Sequence, residues 1–90
     1  MARILITPEE IDKVSSLFNQ GSQQSRELAS KLNSAIQSMQ GQWDGMTQQR
    51  FFQRYETDKK NMETYITMLN EVSQELSKIS ERFRAADQQS

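Results

Sequence analysis

The sequence predicts an all-α protein, an antiparallel helix-turn-helix hairpin that dimerises into a four-helix bundle. Apolar residues recur at alternating intervals of three and four over two long stretches, which is the spacing of one face of a helix. The single tryptophan and two of the three glycines lie between these stretches, in Gly41–Gly45. A helical pattern that is interrupted there and then resumes indicates a turn. Ninety residues allow one domain, 1–90.

The first helix is predicted over about residues 8–40. Thr7 can cap it, and Pro8 suits the first helical position because its missing N–H would have no partner there. Glu10 completes a capping box. The apolar spacing then continues without a change of phase to the end of the helix. Gly21 lowers helix stability by about 1 kcal/mol relative to alanine, which we expect close approach of a bulky neighbour to offset.

The turn is predicted at about 41–46 and the second helix at about 47–86. Gly41 is suited to the left-handed conformation that ends a helix. Either Asp44 or Thr47 can cap the second helix. No glycine or proline interrupts this helix, and its last residues are expected to fray.

Folding the chain at its centre brings the apolar stripes of the two helices together. Small residues of the first helix then face large ones of the second, as packing requires. The expected pairs are Leu32 with Tyr55, Ser25 with Met62, Gly21 with Tyr65, and Phe18 with Leu69. The seam of the hairpin and its dimer is expected to contain Phe18, Gly21, Ser25, Leu28, Leu32, Tyr55, Met62, Tyr65 and Leu69.

Further apolar residues flank this seam and widen each stripe beyond what one partner helix can cover. They are Leu17, Ala29 and Ile36 on the first helix and Phe52, Ile66 and Met68 on the second. A lone hairpin would expose a long apolar band, whereas two hairpins in a four-helix bundle would bury it. The sequence therefore predicts an obligate or near-obligate dimer.

Several classes of function are disfavoured by composition. The net charge of −1 lacks the basic bias of a nucleic-acid binder. The longest apolar run is too short for a stable membrane span or for a cleaved signal peptide. Cysteine and histidine are absent, and the carboxylates are scattered over polar faces. We expect no catalytic, cofactor or metal site, and no enzymatic activity.

Trp43 allows two interpretations on physical grounds. Its indole can close the end of the bundle, with Gly45 permitting a tight turn. Alternatively, an aromatic side chain at the exposed tip of a hairpin can form part of a recognition surface. Phe83 and Asp87, spaced four residues apart near the other end of the chain, are open to a similar choice. They are either the last core residue and a solvated tail residue, or one face of a helix presented to a partner.

A central Trp43-Asp44-Gly45 between two long helices in a chain of this length resembles the WXG family of early-secreted-antigen-like proteins. These are small helical hairpins exported by the type VII secretion system of Gram-positive bacteria and mycobacteria. The resemblance implies secretion without a cleaved signal peptide, after synthesis in the bacterial cytoplasm. It also implies an export motif near the C-terminus, an aromatic residue followed four residues later by an acid. Phe83 and Asp87 match that spacing, with phenylalanine in the place of the usual tyrosine.

In the family that this chain resembles, the Trp-X-Gly turn of one subunit lies beside the C-terminal motif of the other. The resemblance therefore implies a composite signal of Trp43, Gly45, Phe83 and Asp87, read by the secretion ATPase or the membrane channel. A homodimer is expected, and a heterodimer with a related hairpin is the alternative. A cytosolic adaptor or chaperone that binds a partner's amphipathic helix is the alternative function. Membrane disruption by an opened bundle is a third possibility, disfavoured by the absence of histidine as a pH switch.

Overall fold

Two long helices form an extended hairpin in a computed structural model of the chain. The structure describes residues 6–42 and 46–89, and no strand occurs among them. Helix α1 spans Pro8–Gln40 and helix α2 spans Met46–Gln89. The predicted turn residues Trp43, Asp44 and Gly45 lie outside the described residues, as do the side chains of 46–47 and 87–89. The predicted helical hairpin is confirmed, and α2 continues three residues beyond the predicted 86.

Local signals in the sequence account for the limits of α1. The N–H of Glu10 donates to the Thr7 hydroxyl oxygen at 3.2 Å, and Pro8 occupies the first turn. At the other end, Gly41 has φ −78° and ψ −10°, in the right-handed helical region. The expectation of a left-handed Gly41 is therefore wrong. The chain instead tightens into a turn in which Gln42 N–H donates to the Met39 carbonyl at 3.0 Å.

The contact between α1 and α2 in the half of the hairpin far from the turn is lined by serine. Ser15 is buried, and its hydroxyl donates to the Ser73 carbonyl at 2.7 Å. The Ser73 hydroxyl donates in return to the Ser15 carbonyl at 2.9 Å. Ser77 Oγ lies 2.9 Å from Ser15 Oγ. Farther along, the hydroxyl of buried Ser22 donates to the Ile66 carbonyl at 3.4 Å. Small hydroxyl side chains let the helices approach while supplying each other's hydrogen bonds.

Aromatic side chains replace serine in the half of the hairpin next to the turn. Phe51 contacts Phe52 edge to face with ring centroids 5.3 Å apart, and it stacks on Tyr55 at 6.3 Å. The Tyr55 hydroxyl donates to the Asn33 side-chain oxygen at 3.2 Å. The ring contacts lie within α2, whereas the hydrogen bond from Tyr55 to Asn33 joins α2 to α1 in this half of the hairpin.

The contact between the helices follows the predicted seam only in part. Gly21 faces Leu69, whose Cδ1 would lie 3.9 Å from an added Cβ, and not Tyr65 as expected. Leu28 and Tyr65 are 57% and 55% exposed in the hairpin. The contact line is rotated on each helix toward the serines, which a hydropathy pattern counts as polar. A buried serine whose hydroxyl is hydrogen-bonded is nonetheless a good neighbour in a close helix contact.

Candidate functional site

One side of the hairpin carries most of its exposed apolar side chains. At 100° per residue, Leu32 lies about a quarter turn, and Leu28 more than a third of a turn, around α1 from Ser15 and Ser22. On α2, Tyr65 lies about a quarter turn from the serines in the same sense of rotation. Because the helices are antiparallel, equal rotations bring both sets to the same side of the hairpin. The large apolar residues exposed on this side, here called the apolar face, are Val14, Leu17, Leu28, Leu32, Met39 and Tyr65.

A groove between the two helices lies on the apolar face near the middle of the hairpin. It has a volume of about 300 Å³. Its walls include Leu28 and Leu32 from α1 and Met62 and Tyr65 from α2, with Ser25 at its edge. The groove can receive a bulky apolar side chain from a partner.

The opposite side of the hairpin carries more charge at the same level. The groove there combines the charged or polar Arg26, Asn33, Lys59 and Glu63 with the apolar Ala29, Met62 and Ile66, whereas none of the described residues that line the groove on the apolar face is charged. Within the described part of the chain, the apolar face is therefore the surface suited to burial in a protein–protein contact. Of the nine residues expected in the seam, Leu28, Leu32 and Tyr65 lie on this face. The others are buried or half-buried in the single hairpin: Phe18, Gly21, Ser25, Tyr55, Met62 and Leu69.

The expected export residues are far apart within one chain. Phe83 is half-buried near the C-terminal end of α2, and Asp87 follows it one helical turn later. Trp43 and Gly45 belong to the predicted turn, which lies outside the described residues. The start of α2, at Met46, is separated from Phe83 by about 55 Å of helix at 1.5 Å per residue. One hairpin therefore does not bring the turn and Phe83 together.

A charged cluster that the sequence pattern did not predict closes the open end of the hairpin. The Arg84 guanidinium donates from Nη2 to Asp12 Oδ2 at 2.7 Å and from Nη1 to Ser80 Oγ at 2.9 Å. Glu9 lies 3.9 Å from the same Nη2. The Ser80 hydroxyl, which is completely buried, donates to the Pro8 carbonyl at 3.2 Å.

These contacts change the acid–base properties of the two partners. The hydrogen bond from Arg84 and, next in size, the effect of the nearby Ser80 hydroxyl lower the pKa of Asp12 below its usual value. The hydrogen bond to Asp12 raises the pKa of Arg84. Both groups are therefore held in their charged forms at neutral pH. The pairing of an α1 residue with one 72 positions later leaves no local signal in the sequence.

Neither a metal-binding cluster nor a membrane-spanning helix is present among the described residues. Within residues 6–42 and 46–89, no cluster of three or more His, Cys, Asp or Glu side chains could hold a metal ion. In the same part of the chain, neither helix is long and apolar enough to cross a membrane. The feature that distinguishes this molecule is its apolar face.

Comparison with known proteins agrees with this architecture. The family model described as "WXG100: Proteins of 100 residues with WXG" matches residues 3–88. The type VII secretion system extracellular protein A of Staphylococcus aureus is 32% identical over 99% of this chain and 92% of its own length. The crystal structure of the wild-type secreted protein EsxB of Bacillus anthracis superposes with a TM-score of 0.84 at 34% identity, covering 93% of this chain and 90% of EsxB.

A second crystal structure, of EsxA from Geobacillus thermodenitrificans, superposes with a TM-score of 0.84 at 32% identity. It covers 97% of this chain and 95% of EsxA. The likeness thus extends over both helices in sequence and in shape. The chain belongs to the WXG100 family, a family of secreted substrates of type VII secretion systems rather than of enzymes.

Proposed function

We propose that this protein is exported as a folded homodimer by a type VII secretion system. Trp43 and Gly45 of one subunit, with Phe83 and Asp87 of its partner, form the signal that the secretion ATPase or membrane channel reads. Export proceeds without cleavage of a signal peptide, after synthesis in the cytoplasm. The observation that carries this proposal is the apolar face, since it supplies the surface through which two copies pair.

The single hairpin leaves too much apolar surface in water to be the functional unit. Among the described residues, the buried apolar side chains are Ile11, Ile66 and Leu69 alone. The accessible surface is 7542 Å², against about 5,400 Å² for a compact monomer of this mass. The radius of gyration is 20.2 Å, against about 12 Å for a compact domain of 90 residues. The excess area is large enough for a stable dimer interface.

The geometry favours an antiparallel arrangement of the two copies. The hairpin is 68 Å long, with the turn at one end and Phe83 near the other. A two-fold axis across the middle of the apolar face places the turn of each subunit beside the partner's helix ends. A parallel pair would keep the two parts of the signal at opposite ends. Only the antiparallel dimer joins Trp43 to Phe83, and this makes export dependent on assembly.

A homodimer needs no partner of opposite charge. The chain as a whole has a net charge of only −1. Two copies can therefore pair without strong electrostatic repulsion. A related hairpin with a matching apolar face would compete for the same surface.

A secretion assay tests this proposal directly. Wild type, Trp43→Ala, Phe83→Ala and Asp87→Ala are produced in the native bacterium, and culture supernatant and cell fractions are compared. Each substitution is expected to retain the protein in the cells while the purified variant remains dimeric. The exposed Gln74→Ala, in α2 and away from both parts of the signal, is the matched control and should be exported normally. Unchanged export of the three dimeric variants would contradict the proposal.

The groove on the apolar face also favours a second candidate function, a cytosolic adaptor that binds an amphipathic helix of another protein. An adaptor would remain in the cells, whereas an exported substrate accumulates in the supernatant. The mass of the supernatant protein adds a further test, because export without signal cleavage predicts equal masses for the intracellular and supernatant forms. Detection of the protein only in the cell fraction would support the adaptor.

A further inference from the structure

The C-terminal segment of α2 extends beyond the helix with which it pairs. Helix α1 begins at Pro8, whose carbonyl accepts the hydrogen bond from Ser80. Helix α2 continues to Gln89. The segment 81–89, which contains Phe83 and Asp87, therefore has no turn of α1 beside it.

Arg84 is the residue that ties this segment back to α1. Its guanidinium contacts Asp12 at 2.7 Å and Ser80 at 2.9 Å, and Glu9 lies at 3.9 Å. Helical side chains lean toward the N-terminus of their own helix. In this antiparallel pair, Arg84 leans toward the level of Ser80 and Asp12 leans toward the level of Pro8. Ser80 and Pro8 lie at the same level along the hairpin. The side chains of Arg84 and Asp12 therefore meet there, although their backbones lie at different levels.

We propose that this contact, here called the Arg84–Asp12 clamp, positions the C-terminal part of the export signal. The inference rests on the proposed function and deepens it. Arg84 directly follows Phe83 and precedes Asp87 by three residues, so holding its guanidinium fixes the rotation of the helical turn that carries both. Arg84 is a positioning residue, and the secretion machinery reads its neighbours.

The side of the hairpin toward which Asp12 draws Arg84 decides where Phe83 points. Asp12 lies on the polar side of the hairpin, away from the apolar face. Phe83 lies about 100° around α2 from Arg84, on the side of the apolar face. Pulling Arg84 toward Asp12 therefore turns Phe83 toward the surface that a second copy covers. In an antiparallel dimer, that surface adjoins the partner's Trp43.

The test compares Arg84→Gln with the charge-reversed pair Arg84→Glu plus Asp12→Arg. Amide hydrogen exchange at residues 84–89 is measured in the purified dimer, and export is measured in the native bacterium. Arg84→Gln is expected to accelerate exchange of these amides about two- to fivefold, the range of an exposed ion pair, and to reduce export. The reversed pair is expected to restore both. Neighbouring Arg82 has no ion pair among the described residues, so Arg82→Gln should change neither.

The outcomes separate this inference from the proposed function. Normal export of Arg84→Gln, with export of Asp87→Ala lost, would refute the clamp and leave the signal intact. Normal export of both would refute the signal and the inference together. If export fails in Arg84→Gln and is not restored in the reversed pair, Arg84 acts by another route and the inference is wrong. Unchanged exchange at residues 84–89 in Arg84→Gln would also refute it.

Discussion

Replacing Leu28 by alanine tests whether the apolar face is the dimer interface. Leu28 borders the central groove and is 57% exposed in the hairpin. Alanine is a better helix former than leucine, so the substitution does not weaken α1 as a helix. In an isolated hairpin, truncating so exposed a side chain would change stability by less than about 0.5 kcal/mol. In the proposed dimer, the same truncation removes a contact at the centre of the interface.

The expected loss follows from the exposed fraction. Burying a whole leucine side chain stabilises by about 1.5–3 kcal/mol, so the exposed part of Leu28 corresponds to about 1–1.5 kcal/mol. A two-fold dimer contains this residue twice. Alanine keeps one methyl group, which reduces the loss of dimer stability, whereas the cavity that the truncation leaves increases that loss. We therefore expect Leu28→Ala to weaken the dimer by about 2–3 kcal/mol, or about 30- to 150-fold in dissociation constant.

Sedimentation equilibrium over a dilution series measures this change. Wild type should sediment as a dimer to far lower concentration than Leu28→Ala. Leu28→Met, which conserves apolar volume, is the matched control and should stay close to wild type. Identical dissociation constants for wild type and Leu28→Ala would exclude this part of the apolar face from the interface. A folded 10.5 kDa monomer at every concentration would refute the dimer altogether.

Three further predictions concern the hairpin itself. Ser15→Ala removes a buried hydroxyl that serves three neighbouring oxygens, and should lower the free energy of unfolding by about 1–3 kcal/mol in urea titration. Gly21→Ala should raise it by about 1 kcal/mol, because the new Cβ would meet Leu69 at an ordinary contact distance of 3.9 Å. Asp12→Asn should be less stable than wild type at pH 7. This difference should shrink as pH falls below about 3.9, the pKa of an unfolded aspartate, because the ionised carboxylate that Arg84 stabilises becomes protonated.

The sign of the pH dependence follows from the lowered pKa of Asp12. A group with a lowered folded pKa stabilises the fold above its unfolded pKa, and this contribution is lost as pH falls through the folded value. Thermal unfolding of both proteins between about pH 2 and 7 measures it, and a difference that grows in acid would contradict the clamp. For Gly21→Ala, a weaker dimer would show instead that a second copy packs against this position. For Ser15→Ala, unchanged stability would mean that water replaces the lost hydroxyl.

The element order was predictable because helix periodicity and capping are local properties. Thr7, Pro8 and Glu10 mark the start of α1 in the sequence, and the structure uses them there. The end of α2 was less predictable. The apolar spacing stops at Ala86, whereas the backbone hydrogen bonds of a helix need no apolar partner and continue to Gln89.

The contact line between the helices could not be read from hydropathy. A hydropathy pattern that scores serine as polar predicts that Ser15 and Ser73 are exposed to solvent. Both are in fact buried, and each donates a hydrogen bond to the other's carbonyl. The Arg84–Asp12 clamp was missed for another reason. It joins residues near opposite ends of the chain, and its existence depends on the register of the helices and on the lean of both side chains.

The serine-lined contact has a consequence for how long the protein would persist after the proposed export. Among the described residues only Ile11, Ile66 and Leu69 are apolar side chains buried between the helices, so the proposed pairing of copies must supply much of the driving force for folding. Folding and assembly then become one bimolecular equilibrium, whose midpoint moves with protein concentration. Each tenfold dilution removes about 1.4 kcal/mol from that equilibrium. Spreading from a crowded cell wall into a large extracellular volume would by itself limit the lifetime of the folded form.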